Sequence, residues 1–223
     1  SARKAYGENS MQHLAAMAEA LNQMVASKDV IGFRTLAQDL IQRMETVFPE
    51  RHPALVEPLI MLSKSYLDAQ EYETALPWLE KAYDILGWER YSRQRDDPDP
   101  LYLALTEHEL GRTYMQLNRL QAAENMLERC VKRYLYKTTA DDPRVLASAY
   151  QLLSGVQYQL GKVDQAVYSE EDSLAVLLRW PNASRLDIAE RQINIMQLRA
   201  LTLPLPQRLQ ANVDALQLAD SVF

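Results

Sequence analysis

Small, bulky and polar positions recur in the same order along three segments of the chain, 59–86, 107–135 and 150–178. In each, a small residue (Ser63, Gly111, Ser154) is followed by a short turn and then by an alanine (Ala75, Ala123, Ala166). A second small residue comes seven places later, at Ala82, Cys130 and Ser173. Two helices cross closely only where side chains are small, so these positions predict the crossing points of a repeated antiparallel helix pair. Tyr66, Tyr114, Leu79 and Leu127 supply the bulk between them.

From Ala75 to Ala123 is 48 positions, and from Ala123 to Ala166 is 43. The excess over a minimal hairpin falls in Glu89–Pro100 and Lys137–Pro143, polar proline-bearing stretches that tolerate insertion. A fainter copy lies upstream, with Leu14–Met24 as first helix and Ala37, Ile41 and Met44 in the second-helix pattern before Pro49. Downstream, Arg185–Leu201 reads as another first helix, interrupted by Pro204 and Pro206, with Gln207–Val222 as its partner or a cap. The expected architecture is all-α: a single domain over 1–223, forming a right-handed superhelical solenoid of about five antiparallel helix hairpins. Their approximate spans are 10–49, 53–88, 100–136, 143–180 and 184–222. Pro53, Pro100 and Pro143 each open a first helix, where a missing amide is harmless, and His52, Asp99 and Asp142 stand just before them. An aspartate there can cap free amides.

Composition agrees with a helical array. Only 6 glycines and 3 phenylalanines occur, too few turn glycines for a sandwich or barrel. The net charge of −6 argues against nucleic acid, since phosphate neutralisation needs a basic surface. Arg90, Arg93 and Arg95 precede Asp96, Asp97 and Asp99, which reads as a solvated, locally neutralised loop. The acidic part of that loop lacks the central glycine and twelfth-position glutamate of a calcium loop, so no metal is expected. One cysteine, Cys130, excludes an internal disulfide and a Cys₄ or Cys₂His₂ zinc site, but leaves the compartment open between cytoplasm and periplasm. No apolar run approaches the roughly 20 residues that span a bilayer, so no membrane insertion is expected. The sequence begins with Ser1 and shows no signal peptide, as expected of a shortened or processed form.

The spacing of Tyr66, Tyr72, Ala75 and Ala82 resembles the tetratricopeptide repeat. The period exceeds the roughly 34 residues of its standard form. That length, and the phrase Ala75-Leu76-Pro77-Trp78-Leu79-Glu80-Lys81-Ala82, are more similar to the kinesin-light-chain-type variant. In that variant an acidic or His-Pro turn opens each hairpin and a proline stands early in the second helix. Pro77 fits this as a proline near the helix start. The resemblance covers residues 53–178 and specifies packing positions, hence fold rather than function. The third copy departs from it: Gln157 replaces the large aromatic and Tyr158 stands one place late, which predicts a slightly rotated helix.

No catalytic set converges. His13, His52 and His108 are scattered, and no nucleophile elbow, phosphate-cradling glycine loop or His-Glu-x-x-His is present. Cys130 reads as a small packed residue, and Glu170-Glu171-Asp172 as a solvated face, although Glu170 occupies the position of Leu79 and Leu127. The expected function is therefore a non-catalytic scaffold, without cofactor, that binds a protein or extended peptide on its concave face. The repeat register puts Ile60, Lys64, Leu67 and Asp68 on that face, then Leu105, His108, Arg112, Met115 and Gln116, then Ser148, Gln151, Tyr158 and Gln159. Lys64, Arg112 and His108 are expected to grip a carboxylate or acidic side chain, with Leu67, Met115 and Tyr158 holding apolar residues. Similar repeats bind peptide C-termini through basic and amide groups, but the asparagines of that clamp are missing here. The competing reading pairs Lys64 and Arg112 with Glu57, Asp68 or Glu109 as surface ions. Two further functions stay open: a ligand-responsive regulatory domain of a larger protein, and self-association through the aliphatic C-terminal helices, whose Leu216, Leu218 and Val222 would leave a sticky end.

Overall fold

The computed structural model describes residues 10–25, 29–92, 100–136 and 143–222. The loop arginines and aspartates of 93–99, with the calcium-loop question, and the caps Asp99 and Asp142 lie outside the described residues. Ten α-helices occur among the described residues: α1 (Met11–Met24), α2 (Val30–Val47), α3 (Val56–Leu67), α4 (Tyr72–Ser92), α5 (Pro100–Gln116), α6 (Leu120–Tyr136), α7 (Pro143–Gln159), α8 (Val163–Arg179), α9 (Arg185–Leu201) and α10 (Leu205–Val222). A 3₁₀ turn, Pro53–Leu55, leads into α3. The chain forms two compact units, 1–106 and 107–223.

The small residues predicted as crossing points are buried without exception. Ser63, Ala75 and Ala82 in the first unit, and Ala123, Cys130, Ser154, Ala166 and Ser173 in the second, are at most 2% exposed. At Gly111 a Cβ would lie 2.5 Å from Leu127 Cγ, so only glycine lets α5 and α6 approach this closely. The two crossing serines of α7–α8 also bond across the pair: Ser154 Oγ donates to the Ala166 carbonyl at 2.8 Å, and Ser173 Oγ to the Ala147 carbonyl at 2.9 Å. Burying a hydroxyl without a partner would be costly; here each has one.

The turns repeat as faithfully as the helices. Gln70, Asn118 and Gly161 have φ of 60°, 55° and 76°, each five residues before the hairpin's alanine. The amides of Glu71, Arg119 and Lys162 bond to the carbonyls of Tyr66, Tyr114 and Gln157 at 2.8 to 2.9 Å. This is the left-handed helix end that satisfies otherwise orphaned carbonyls. Gln157 points inward like the tyrosines it replaces, 6% exposed, and accepts a bond from Ser169 Oγ at 2.7 Å. A polar side chain thus fills an aromatic position because a serine on α8 satisfies it, and Tyr158 stays half-exposed.

In the first unit, Arg34 of α2 lies over the Tyr66 ring at 4.0 Å, donates to the Ser65 carbonyl at 2.7 Å and pairs with Glu71. It fastens α2 to the end of α3. Before α3, His52 Nδ1 accepts from the Ala54 amide and its ring stacks on Phe48, so a histidine serves as the cap. Pro77 corrects one expectation: it is the sixth residue of α4, past the four amides that a helix leaves unpaired. The carbonyl of Glu73 loses its helical donor, but Glu73 and Pro77 are both exposed and water can serve it.

In the second unit α9 matches its expected span residue for residue, and α10 begins at Leu205, with Pro206 in its first turn. α10 packs on α9, and Arg208 donates to the carbonyls of Leu201 and Leu203, covering the C-terminal end of α9.

Candidate functional site

The helix register decides where each candidate side chain goes. Leu67 belongs to the interior of the first unit at 4% exposed and offers a ligand almost no surface, so the apolar contact expected of it is not available. Its neighbour Lys64 is exposed, as is Asp68 one turn on, and Ile60 is partly buried. Lys64 and Asp68 stand at the rim of a pocket of about 300 Å³ floored by Met24, Val25, Val30, Phe33 and Met61.

The remaining candidates lie in the second unit. Arg112 pairs with Glu109 at 2.8 Å, three residues back on α5, the arrangement of the competing surface-ion reading. His108 faces α7, where its Nε2 shares a 3.0 Å hydrogen bond with Ser148 Oγ. Neither group points an unengaged charge at a ligand.

Met115, Gln151 and Tyr158 come together. They line a cleft of about 780 Å³ formed by α5, α7, α8, α9 and α10. Its apolar wall is completed by Leu152, Leu198, Leu201 and Leu216, and Gln151, Asn194, Gln197 and Asn212 contribute four carboxamides. Glu170 lies at its floor, 4% exposed. Sequence reasoning missed the half contributed by α9 and α10, because the outer hairpin matched the repeat too weakly to assign its faces. The i, i+3 pair Asn194 and Gln197 on a first helix was the available signal.

Glu170 explains the break in pattern that the sequence displayed. It is not on a solvated face. Its Oε2 lies 3.4 Å from Arg191 Nη1, and its Oε1 accepts from Asn194 Nδ2 at 3.3 Å. Arg191 is itself 3% exposed and makes its shorter contact, 2.7 Å, with Glu190. Burial raises the Glu170 carboxyl above its usual range, and Arg191, Asn194 and their bonds only partly oppose this. The α8 position that holds leucine in earlier copies thus holds an ion pair whose partner comes from the next hairpin. Glu171, one residue on, pairs with Arg199, while Asp172 is exposed.

Two more carboxylates are sealed in this unit: Glu107 (fully buried) bonded to Arg133 at 2.7 Å, and Glu124 (3% exposed) bonded to Lys162 at 2.6 Å. Cys130 is fully buried, and burial followed by the nearby Glu107 charge pushes its thiol far up, so it is an unreactive packing residue. Among the described residues no group of three or more His, Cys, Asp or Glu could hold a metal ion, and no helix is long and apolar enough to cross a membrane.

Comparison with known proteins agrees with the fold. Residues 104–135 match the family model of the tetratricopeptide repeat. No curated protein shows significant sequence similarity to the chain. Among solved structures, the fold is similar to the TPR-like repeats assigned to a kinesin light chain of Podosopora anserina, at 17% identity and TM-score 0.68, covering 94% of this chain and 92% of that one. It is similar to BtubC of P. vanneervenii at 16% identity and TM-score 0.68, covering 94% and 81%. It is also similar to MamA of Desulfovibrio magneticus at 10% identity and TM-score 0.64, covering 93% and 96%. Such repeats are typical of protein-interaction scaffolds and generally non-catalytic. The chain therefore carries a tetratricopeptide repeat and has the all-α fold of kinesin-light-chain-like tetratricopeptide proteins.

Proposed function

We propose that this chain is a non-catalytic scaffold that binds a polypeptide, and that the cleft of the second unit is its docking surface. One observation carries the reading: Met115, Gln151 and Tyr158, assigned to the ligand face by repeat register, line a single cleft of about 780 Å³. Apolar walls with a few convergent polar groups are the usual make-up of a binding site, and carboxamides can donate to and accept from a peptide backbone at once. The test fills the cleft from its exposed rim with Gln151→Trp/Gln197→Trp. A polypeptide retained on the wild-type chain and lost from this variant, with unchanged helicity, supports the reading. Equal retention on both moves the docking surface elsewhere.

A second reading has its own observation. Leu205, Leu209, Val213 and Leu216 lie within one arc of α10 and are 66%, 61%, 45% and 64% exposed. Self-association through this stripe predicts a sedimentation coefficient that rises with concentration and stops rising in Leu209→Glu. A strict monomer at all concentrations eliminates it.

A further inference from the structure

The second unit's cleft carries a charge that selects its ligand. Among the described residues lining it there is no lysine, arginine or histidine, and Glu170 is the one carboxylate. That carboxylate has one basic partner, Arg191, and has to share it. Arg191 stands between two acids, 2.7 Å from Glu190 and 3.4 Å from Glu170, so two negative charges share one guanidinium. Asn194 reaches Glu170 only at 3.3 Å. Both contacts are longer than charge-assisted hydrogen bonds, which run about 2.7–2.9 Å. Glu171, the next acid on α8, is taken by Arg199 and lends nothing.

Building on the scaffold reading, we infer that the cleft receives a basic side chain, the lysine or arginine of a partner polypeptide, flanked by apolar residues. The cation would be drawn by the charge of Glu170, which acts from the floor although it is 4% exposed, and the flanking residues would be met by Met115, Leu198 and Leu216 on the walls. This is the opposite polarity to the carboxylate clamp that Lys64, Arg112 and His108 suggested. The preference follows from desolvation: an anion entering a cleft floored by a buried carboxylate is repelled at low dielectric, whereas a cation adds to the compensation that Arg191 divides between two acids.

The test uses the full chain and a displayed library of random dodecapeptides. Expected is enrichment of peptides with one lysine or arginine between apolar residues. Replacing that cation by norleucine should weaken binding on the order of tenfold or more, and so should Glu170→Gln in the protein, because each removes one partner of a desolvated pair. Folding of Glu170→Gln is checked by thermal melting. Gln197→Lys, at an exposed rim position, is a second variant that sets a like charge beside the ligand without touching the buried cluster. Enriched peptides that are acidic, that bind equally well with norleucine, or that are indifferent to both variants overturn the inference. The scaffold reading survives such a result if the peptides are still displaced by Gln151→Trp/Gln197→Trp. Failure of that displacement, or no enrichment at all, overturns both.

Discussion

The two units share one packing rule and differ in how they treat charge. In the first, the pairs Arg34–Glu71, Arg43–Asp39, Arg51–Asp84 and Lys81–Glu45 each keep at least one side chain more than a third exposed, as with Arg51–Asp84 at 37% and 56%. In the second, Glu107 and Glu170 are buried together with their arginines, and Glu124 is buried under a lysine, Lys162, that is itself 38% exposed. Their pockets differ likewise. A pocket of the first unit is small and mostly apolar, with Lys64 and Asp68 in solvent at the rim, and the cleft of the second unit is larger, amide-lined and floored by Glu170. A surface pair is worth about 0–1 kcal/mol, whereas removing one member of a buried pair strands the other, at about 3–5 kcal/mol. The lesson is that charge in the first unit decorates a fold that packing holds together, and in the second it ties successive helices to one another.

The largest effect is expected where both partners are buried. Arg191→Met should destabilise the chain by about 3–5 kcal/mol at pH 7, read from denaturant unfolding. Its pH dependence has a definite sign. Burial raises Glu170 above its unfolded value, so folding favours the protonated carboxyl, and stability tied to this group falls as pH rises through the raised value. Arg191 limits that fall, so the cost of Arg191→Met should shrink as pH is lowered toward the ordinary carboxylate range. A cost independent of pH would place the loss in packing rather than charge.

Overpacking should come next and should not distinguish the units. Ala75→Leu and Ala123→Leu fill equivalent crossings that are fully buried, and each is expected to cost about 1–3 kcal/mol. Either one tolerated without loss of thermal stability would show that its hairpin does not cross there. Arg51→Ala, at a surface pair of the first unit, is expected to cost about 1 kcal/mol or less. A loss comparable to that of Arg191→Met would erase the contrast between the units. The smallest effect belongs to the turns: Gln70→Gly should stabilise by about 0.5 kcal/mol, since glycine relieves the left-handed strain at φ 60° but gives back unfolded-chain entropy.

The fold was legible because a helix crossing constrains a single residue. Ser63, Ala82, Cys130 and Ser173 are small and almost completely buried, so the sequence displays the crossings directly. Turn geometry was hidden because glutamine, asparagine and glycine all adopt the left-handed conformation at positions 70, 118 and 161, leaving no common letter to read. The cleft was half legible. Met115, Gln151 and Tyr158 followed from the register of strong repeats, whereas Asn194, Gln197 and Asn212 sit on a hairpin whose pattern is diluted by prolines. Glu170 could not be read from its own position at all, because its partner Arg191 lies 21 residues away on the next hairpin. Arg112 misled for the opposite reason: its partner Glu109 is local, and spacing alone does not say whether a cation prefers its own helix or a ligand.

Methionines mark both candidate regions, Met24 and Met61 in the first unit's pocket and Met115 in the second unit's cleft. The most direct measurement is a methyl spectrum of the ¹³C-methionine-labelled chain, titrated with a polypeptide that it binds. Docking in the cleft predicts that the Met115 resonance shifts while Met24 and Met61 stay in place. Shifts confined to Met24 and Met61, with Met115 unmoved, would contradict the account and assign binding to the Lys64 pocket instead.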